Sequence, residues 1–162
     1  MTQPAHPLRF RRWFGQFGLI LLKERESRAM PPRRVLKTCV LYTWTAPTSC
    51  VGLLVGVLTL SSGGRVRIRR GTLEFHGGFS TWFANVIGFG AMTLGHVILG
   101  RDDWSLDVCR DHEQAHVRQA ELWGPMFIPA YLLASAWAHA RGQHYYIDNW
   151  FERDARRACG EE

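Results

Sequence analysis

Between Ser105 and Trp123 the apolar and polar positions follow a helical period. Leu106, Cys109, Glu113, His116, Val117, Ala120 and Trp123 recur at three- and four-residue intervals. No Pro or Gly interrupts them, Asp102 and Asp103 suit an N-terminal turn, and Gly124-Pro125 supplies a stop. The pattern predicts one amphipathic helix over 105–123. Upstream the period is two: Val66, Ile68, Leu73 and Phe75 alternate with polar residues on either side of Arg70-Gly71, which predicts a β-hairpin. Ala91 to Leu99, closed by Gly100, reads as a third strand, and Asn149 to about Cys159 as a last helix.

Two uncharged runs suggest further helical segments. Thr38 to Gly64 is long enough for a bilayer, which needs about 20 apolar residues. Pro47 and several Thr and Ser weigh against a simple span, and basic residues at both ends leave orientation open. The expected role is a membrane-associated segment. Leu122 to Ala138, with Pro125 and Pro129, reads as a buried helix. Together these elements predict an α+β chain: a small antiparallel sheet, a motif-bearing helix and backing helices, preceded by an apolar N-terminal helical segment.

A length of 162 residues with 46% hydrophobic content suits one domain. A mean hydropathy of −0.15 argues against a multi-spanning protein. The net charge of +6 is concentrated early, at Arg9, Arg11, Arg12, Lys23, Arg25, Arg28, Arg33, Arg34 and Lys37. This divides the chain into a basic arm, 1–35, and a single domain, 36–162. Such an arm suits an anionic membrane surface; nucleic acid is not an expected partner, because no recognised reading module accompanies the charge. Trp13 to Leu22 has the outline of a signal peptide, but Lys23-Glu24-Arg25-Glu26 follows where a small-residue cleavage site would be. The cytoplasmic side of a membrane is therefore expected over secretion. Cys39, Cys50, Cys109 and Cys159 form no CxxC pair and read as free thiols of a reducing compartment.

The chemistry lies in the 105–123 helix. His112-Glu113-Gln114-Ala115-His116 is an HExxH sequence. Residues four apart on a helix stack with Cβ atoms about 5–6 Å apart, so both imidazoles can reach one Zn²⁺ at about 2.0–2.1 Å. Glu113 falls beside the ion, where a carboxylate can act as general base on an activated water. A catalytic zinc site takes a third protein ligand. The extended form HExxHxxGxxH is excluded, because Gln119 and Leu122 occupy its last two positions. His139, His144, Asp148, Glu152 and Asp154 remain as candidates, with Glu152 on the last helix offering a His₂Glu solution.

His112-Glu113-x-x-His116 with Asn149-x-x-Glu152 resembles the gluzincin branch of the zincin metallopeptidases. More narrowly, residues 40–158 resemble a group of small bacterial HExxH proteins, through Thr93-Leu94-Gly95-His96-Val97-Ile98-Leu99, His112-Glu113-x-x-His116-Val117-x-Gln119, Trp123-Gly124-Pro125 and Asn149-x-Phe151-Glu152-x-x-Ala155. The resemblance implies a zincin-like fold, zinc on His112, His116 and Glu152, and Glu113 as catalytic base. Where many gluzincins carry an aspartate four residues after the ligand glutamate, Arg156 is found, so support of the ligands falls to another group such as Asp154. It also implies that the strand around 93–99 is the edge on which an extended peptide pairs. His96 is expected to be a satisfied structural histidine, and Tyr145 or Tyr146 a donor to the developing oxyanion.

The expected function is that of a zinc-dependent hydrolase, a peptidase acting on a peptide or protein substrate. The alternative is a non-catalytic membrane-associated protein in which the metal, or the polar cluster alone, is structural.

Overall fold

The computed structural model describes residues 31–161; the basic arm up to position 30, with the signal-like segment Trp13–Leu22, lies outside the described residues. Residues 39–161 belong to one compact unit, which begins after Thr38. The chain is α+β. Helix α1 (Pro32–Trp44) and helix α2 (Ala46–Ser61) are followed by strands β1 (Arg65–Arg69) and β2 (Thr72–His76) and helix α3 (Gly78–Ile87). Strands β3 (Ala91–Leu94) and β4 (Val97–Gly100) come next, then helices α4 (Asp103–Val108) and α5 (Arg110–Trp123). A 3₁₀ turn (Gly124–Met126), helix α6 (Phe127–Ala140) and helix α7 (Trp150–Cys159) complete it.

The expected hairpin is present. β1 and β2 pair antiparallel with Arg69 opposite Thr72. Their two-residue link needs left-handed backbone at both positions, found at Arg70 (φ 47°) and Gly71 (φ 83°). The expected single strand over 91–99 is instead a second hairpin. Gly95, at φ 65°, folds β3 back on β4 with Leu94 opposite Val97. The sheet order is β1-β2-β4-β3, with β2 and β4 parallel. The sheet is therefore mixed and not antiparallel. The crossover through α3 places β4 beside β2, and no alternation pattern within a strand encodes that choice of neighbour.

The two sheet faces have different partners. Phe75, Val97 and Leu99 point to one face and pack with Val55 of α2 and Phe83 of α3. Ile98 points to the other and packs with Leu106 of α4 and Val117 of α5. Behind α5, Ala120, Phe127 and Phe151 join α5, α6 and α7. On that second face Glu74 is fully buried but accepts from Arg67 Nε at 2.7 Å and from Arg110 Nε at 3.4 Å. Two guanidinium groups make that burial tolerable, and they tie β1 and α5 to the sheet.

Three apolar patterns depart from expectation. The uncharged 38–64 run is interrupted at Thr45 (φ −88°, ψ −1°), because Pro47 in the first turn of α2 has no N–H to continue the ladder. Among the described residues, no single helix is long and apolar enough to cross a membrane. The 105–123 helix breaks at Cys109 (φ −83°, ψ −1°) into α4 and α5; Asp102 caps it as expected by accepting from the Ser105 N–H at 2.7 Å. The uncharged 122–138 run is not a buried helix: Leu132, Leu133 and Trp137 of α6 are exposed, while Phe127 and Ala138 are buried.

α2 lies close on the sheet because its inner face is small. A Cβ on Gly52 would meet Val97 Cβ at 2.7 Å, and one on Gly56 would meet the Phe75 ring at 2.6 Å. Gly56→Ala should therefore destabilise the protein by about 1–3 kcal/mol through overpacking, despite alanine's better helix propensity. Denaturant melts beside the exposed-site control Leu54→Ala test this; a Gly56→Ala protein as stable as the control would show that α2 can lift off freely.

Candidate metal centre

α5 and α7 pack against each other and bring together residues forty apart in sequence. Asn149 starts α7 by accepting from the Phe151 N–H at 2.8 Å, and its amide nitrogen donates to the Tyr131 carbonyl and to Ser135. This fixes the first turn of α7, on which Glu152 sits, against α6. On α5 the i, i+4 spacing brings His112 and His116 edge to face, with ring centroids 4.7 Å apart and planes at 82°.

The donors converge. His112 Nε2 lies 3.1 Å from Glu152 Oε2, and His116 Nε2 lies 3.2 Å from Glu152 Oε1. The two Nε2 atoms are 3.1 Å apart. Ligands about 2.0–2.1 Å from a tetrahedral ion are about 3.3–3.4 Å from one another, so these separations need to open by only a few tenths of an ångström. One ligand atom from each of His112, His116 and Glu152 can hold a metal ion. The donor set, two imidazoles and a carboxylate, is one that zinc accepts.

Neighbouring side chains hold these groups in place. Gln119 Oε1 lies 2.9 Å from His116 Nδ1, so the Nδ1–H donates there and Nε2 keeps its lone pair for a metal. The Gln119 amide nitrogen in turn donates to the Phe151 carbonyl at 3.0 Å and to Asp154 Oδ2 at 2.7 Å. Asp154 thus supports His116, but through Gln119. Tyr131 donates to Glu152 Oε1 at 2.6 Å. On its far side, His112 Nδ1 faces Glu161 Oε2 at 3.6 Å, and Cys159 lies in the same group. Burial and the Glu161 carboxylate push the Cys159 thiol up, which keeps it protonated.

Glu113 is buried and accepts from the Thr93 hydroxyl at 2.6 Å. Thr93 faces α5 because it sits opposite Ile98, on the same sheet face. Loss of solvent raises the Glu113 pKa, against the opposing pull of His116, Thr93 and His112. For His116, burial works against the charged ring, but the Glu152 hydrogen bond and the charges of Glu113 and Glu152 outweigh it and raise the pKa. Burial would raise Glu152, yet the hydrogen bonds from His112 and His116 hold it well below the usual carboxylate range. Tyr131 and Tyr146 are both pushed up, by lost solvent and by the nearby Glu152 charge.

The other candidates lie elsewhere. His144 accepts from the N–H groups of Tyr146 and Ile147, and Asp148 accepts from the His144 N–H, so both serve their own loop. His139 is exposed at the end of α6. His96 is buried and satisfied: its Nδ1 lies 2.8 Å from Thr45 Oγ1, its Nε2 lies 3.1 Å from Glu121, and its ring stacks on Tyr42. Tyr131 was missed by sequence reasoning, and Gln119 stood in a shared motif segment without a role. A lone phenol in an uncharged run and a glutamine three residues after His116 are the signals that could have assigned them.

The four cysteines are free, with no disulfide. The edge strand beside α5 is β3, 91–94, while β4, which carries residues 97–99, is interior. No family model, curated protein or solved structure matches the chain, so the zincin resemblance rests on its motif residues alone.

Proposed function

We propose that the protein is a zinc-dependent hydrolase that cleaves peptide bonds, with His112, His116 and Glu152 holding the ion. The observation that supports it most is the convergence of three donor atoms at 3.1–3.2 Å, with the His116 tautomer oriented by Gln119. Bound there, zinc supplies the positive charge that lowers the pKa of a water to about 7 and polarises a carbonyl. Glu113 takes the proton from the attacking water and returns it to the leaving amine. β3 pairs on one side only among the described residues and meets α5 through Thr93 and Glu113. An extended peptide adding to that edge would run past the general base.

The burial of His116, Glu113 and Glu152 favours the second reading, a structural metal or polar cluster in a non-catalytic protein. Metal analysis of the purified full-length chain, joined to hydrolysis of a mixed peptide library, tests the proposal. About one zinc per chain with chelator-sensitive cleavage is expected. Zinc without cleavage would leave the structural reading, and no bound metal at all would end both metal readings.

pH separates the metal-free state from the loaded one. The folded pKa of His116 is raised, so its contribution is fully present below about pH 6.5 and is lost as pH rises through the raised value. Glu113, also raised, acts in the same direction from about pH 4.5 upward. Glu152 is lowered, so its contribution is present above about pH 4.5 and is lost as pH falls through the lowered value. The chelated protein should therefore lose stability toward alkaline pH, and added zinc should stabilise it more at pH 8 than at pH 6. Thermal melts with and without zinc across that range measure this; a zinc increment independent of pH would contradict proton displacement at His116.

A further inference from the structure

α2, α3 and α6 contain no Asp, Glu, Lys or Arg, and α2 and α3 bury small or polar residues while turning large apolar ones outward. The buried positions of α2 are Thr48, Gly52, Gly56 and Thr59. Apart from Val55, its large apolar residues face outward, with Leu54 69% exposed and Val57 64% exposed. α3 buries Ser80 and Ala84 and exposes Trp82, Val86 and Ile87. α6 leaves Leu133 71% exposed and Trp137 66% exposed. A helix facing water buries its leucines and exposes its small polar residues. The reverse arrangement, small residues at the helix contact and leucines outside, is how helices pack when hydrocarbon is the solvent.

These faces form a linked surface. α2 packs on α3 and also on the 3₁₀ turn that opens α6. The edge strand β1 extends it, because Val66 and Ile68 lie opposite Phe75 and Leu73, on the sheet face that α2 covers only in part. Ile68 is 71% exposed. Charge tells what covers the surface. Exposed Arg65 and Arg69 lie on that same edge strand, and Arg141, directly after α6, sets its guanidinium 5.8 Å from the Trp137 ring centroid. In sequence, Arg33, Arg34 and Lys37 precede the uncharged run. Aromatic and arginine side chains at the ends of uncharged helices match the headgroup layer of an anionic membrane.

We propose that the outward faces of α2, α3 and α6 are seated in an anionic lipid bilayer, with β1 and Arg141 at its headgroups. The surface is a property of the fold and does not depend on zinc. The full-length protein tests it with vesicles of phosphatidylcholine alone, vesicles containing phosphatidylglycerol, and vesicles with brominated acyl chains. Binding should survive carbonate washing, strengthen at least several-fold with phosphatidylglycerol, and bring tryptophan quenching by the brominated chains. Trp82→Phe with Trp137→Phe should remove most of that quenching. Leu54→Lys with Leu133→Lys should release the protein from vesicles with an unchanged circular dichroism spectrum, since both side chains point away from the core. A wild-type chain that stays monomeric in detergent-free buffer and ignores vesicles would overturn the proposal. So would a detergent-free oligomer that the same two lysines convert to monomer, because a second copy would then be the cover. Equal binding to neutral and anionic vesicles would overturn the headgroup assignment.

Discussion

Glu113→Gln should keep zinc at the wild-type ratio while peptide hydrolysis falls by about 10²–10⁴-fold, the usual contribution of a positioned general base. The amide keeps the shape of the carboxylate and can still meet the Thr93 hydroxyl that now holds Glu113 at 2.6 Å. It cannot take a proton from water at neutral pH. The ligand substitutions behave differently: His112→Ala, His116→Ala and Glu152→Ala each remove one of three converging donors and should lose zinc and hydrolysis together. Metal content and turnover measured on the same preparations separate the two classes. Glu152 carries the gluzincin assignment. Should Glu152→Ala keep full zinc while His144→Ala or Asp148→Ala loses it, the third ligand lies in the 144–148 loop and the assignment is wrong.

Removing zinc should lower the melting temperature by about 8–16 °C. The estimate takes zinc at about a thousand times its dissociation constant, worth about 4 kcal/mol, and a chain for which each kcal/mol shifts the midpoint by about 2–4 °C. The effect is large because the ion would join α5 to α7 at a point where the metal-free protein holds a proton and a buried carboxylate instead. Gln119 still bridges the two helices through the Phe151 carbonyl and Asp154, so the chelated protein should melt cooperatively and not fall apart. Calorimetry before and after chelation, with zinc restored, decides it. An unchanged midpoint after verified metal removal would leave the cluster as a polar contact alone.

The site was more legible than the sheet. HExxH spacing is a local property of one helix, so the placing of His112 beside His116 follows from 3.6 residues per turn. Glu152 was reachable because Asn149 marks a helix start and places the acid in its first turn. The network beyond them was not legible. Gln119 stood in a shared motif segment with no role attached, and Tyr131 was one aromatic in an uncharged run; both acquire meaning only when α6 and α7 are packed against α5. In the fold, the Arg70-Gly71 hairpin declared itself by its turn chemistry, whereas Gly95 was read through as part of one strand because apolar residues continue on both sides. The parallel pairing of β2 with β4 left no local mark. The 122–138 run misled for a physical reason: an uncharged run containing proline fits a buried helix as well as a half-exposed one, and only the packing shows that Leu132, Leu133 and Trp137 face out.

The parallel β2–β4 ladder also shapes how the protein must fold. β1–β2 and β3–β4 are hairpins whose turns close over two residues, so each forms from local contacts on the microsecond scale. The ladder between them has no such shortcut, because α3 must first be spanned. Docking of the two hairpins is thus the expected rate-limiting event, and α2 is its clamp, since Gly56 rests on Phe75 of one hairpin and Gly52 on Val97 of the other. Residues at that clamp should act on the refolding rate, whereas the Arg70-Gly71 turn, already closed within its hairpin, should leave the docking step nearly unchanged. Stopped-flow refolding of Gly56→Ala beside Gly71→Ala would show it; equal slowing by both would place turn closure in the barrier instead.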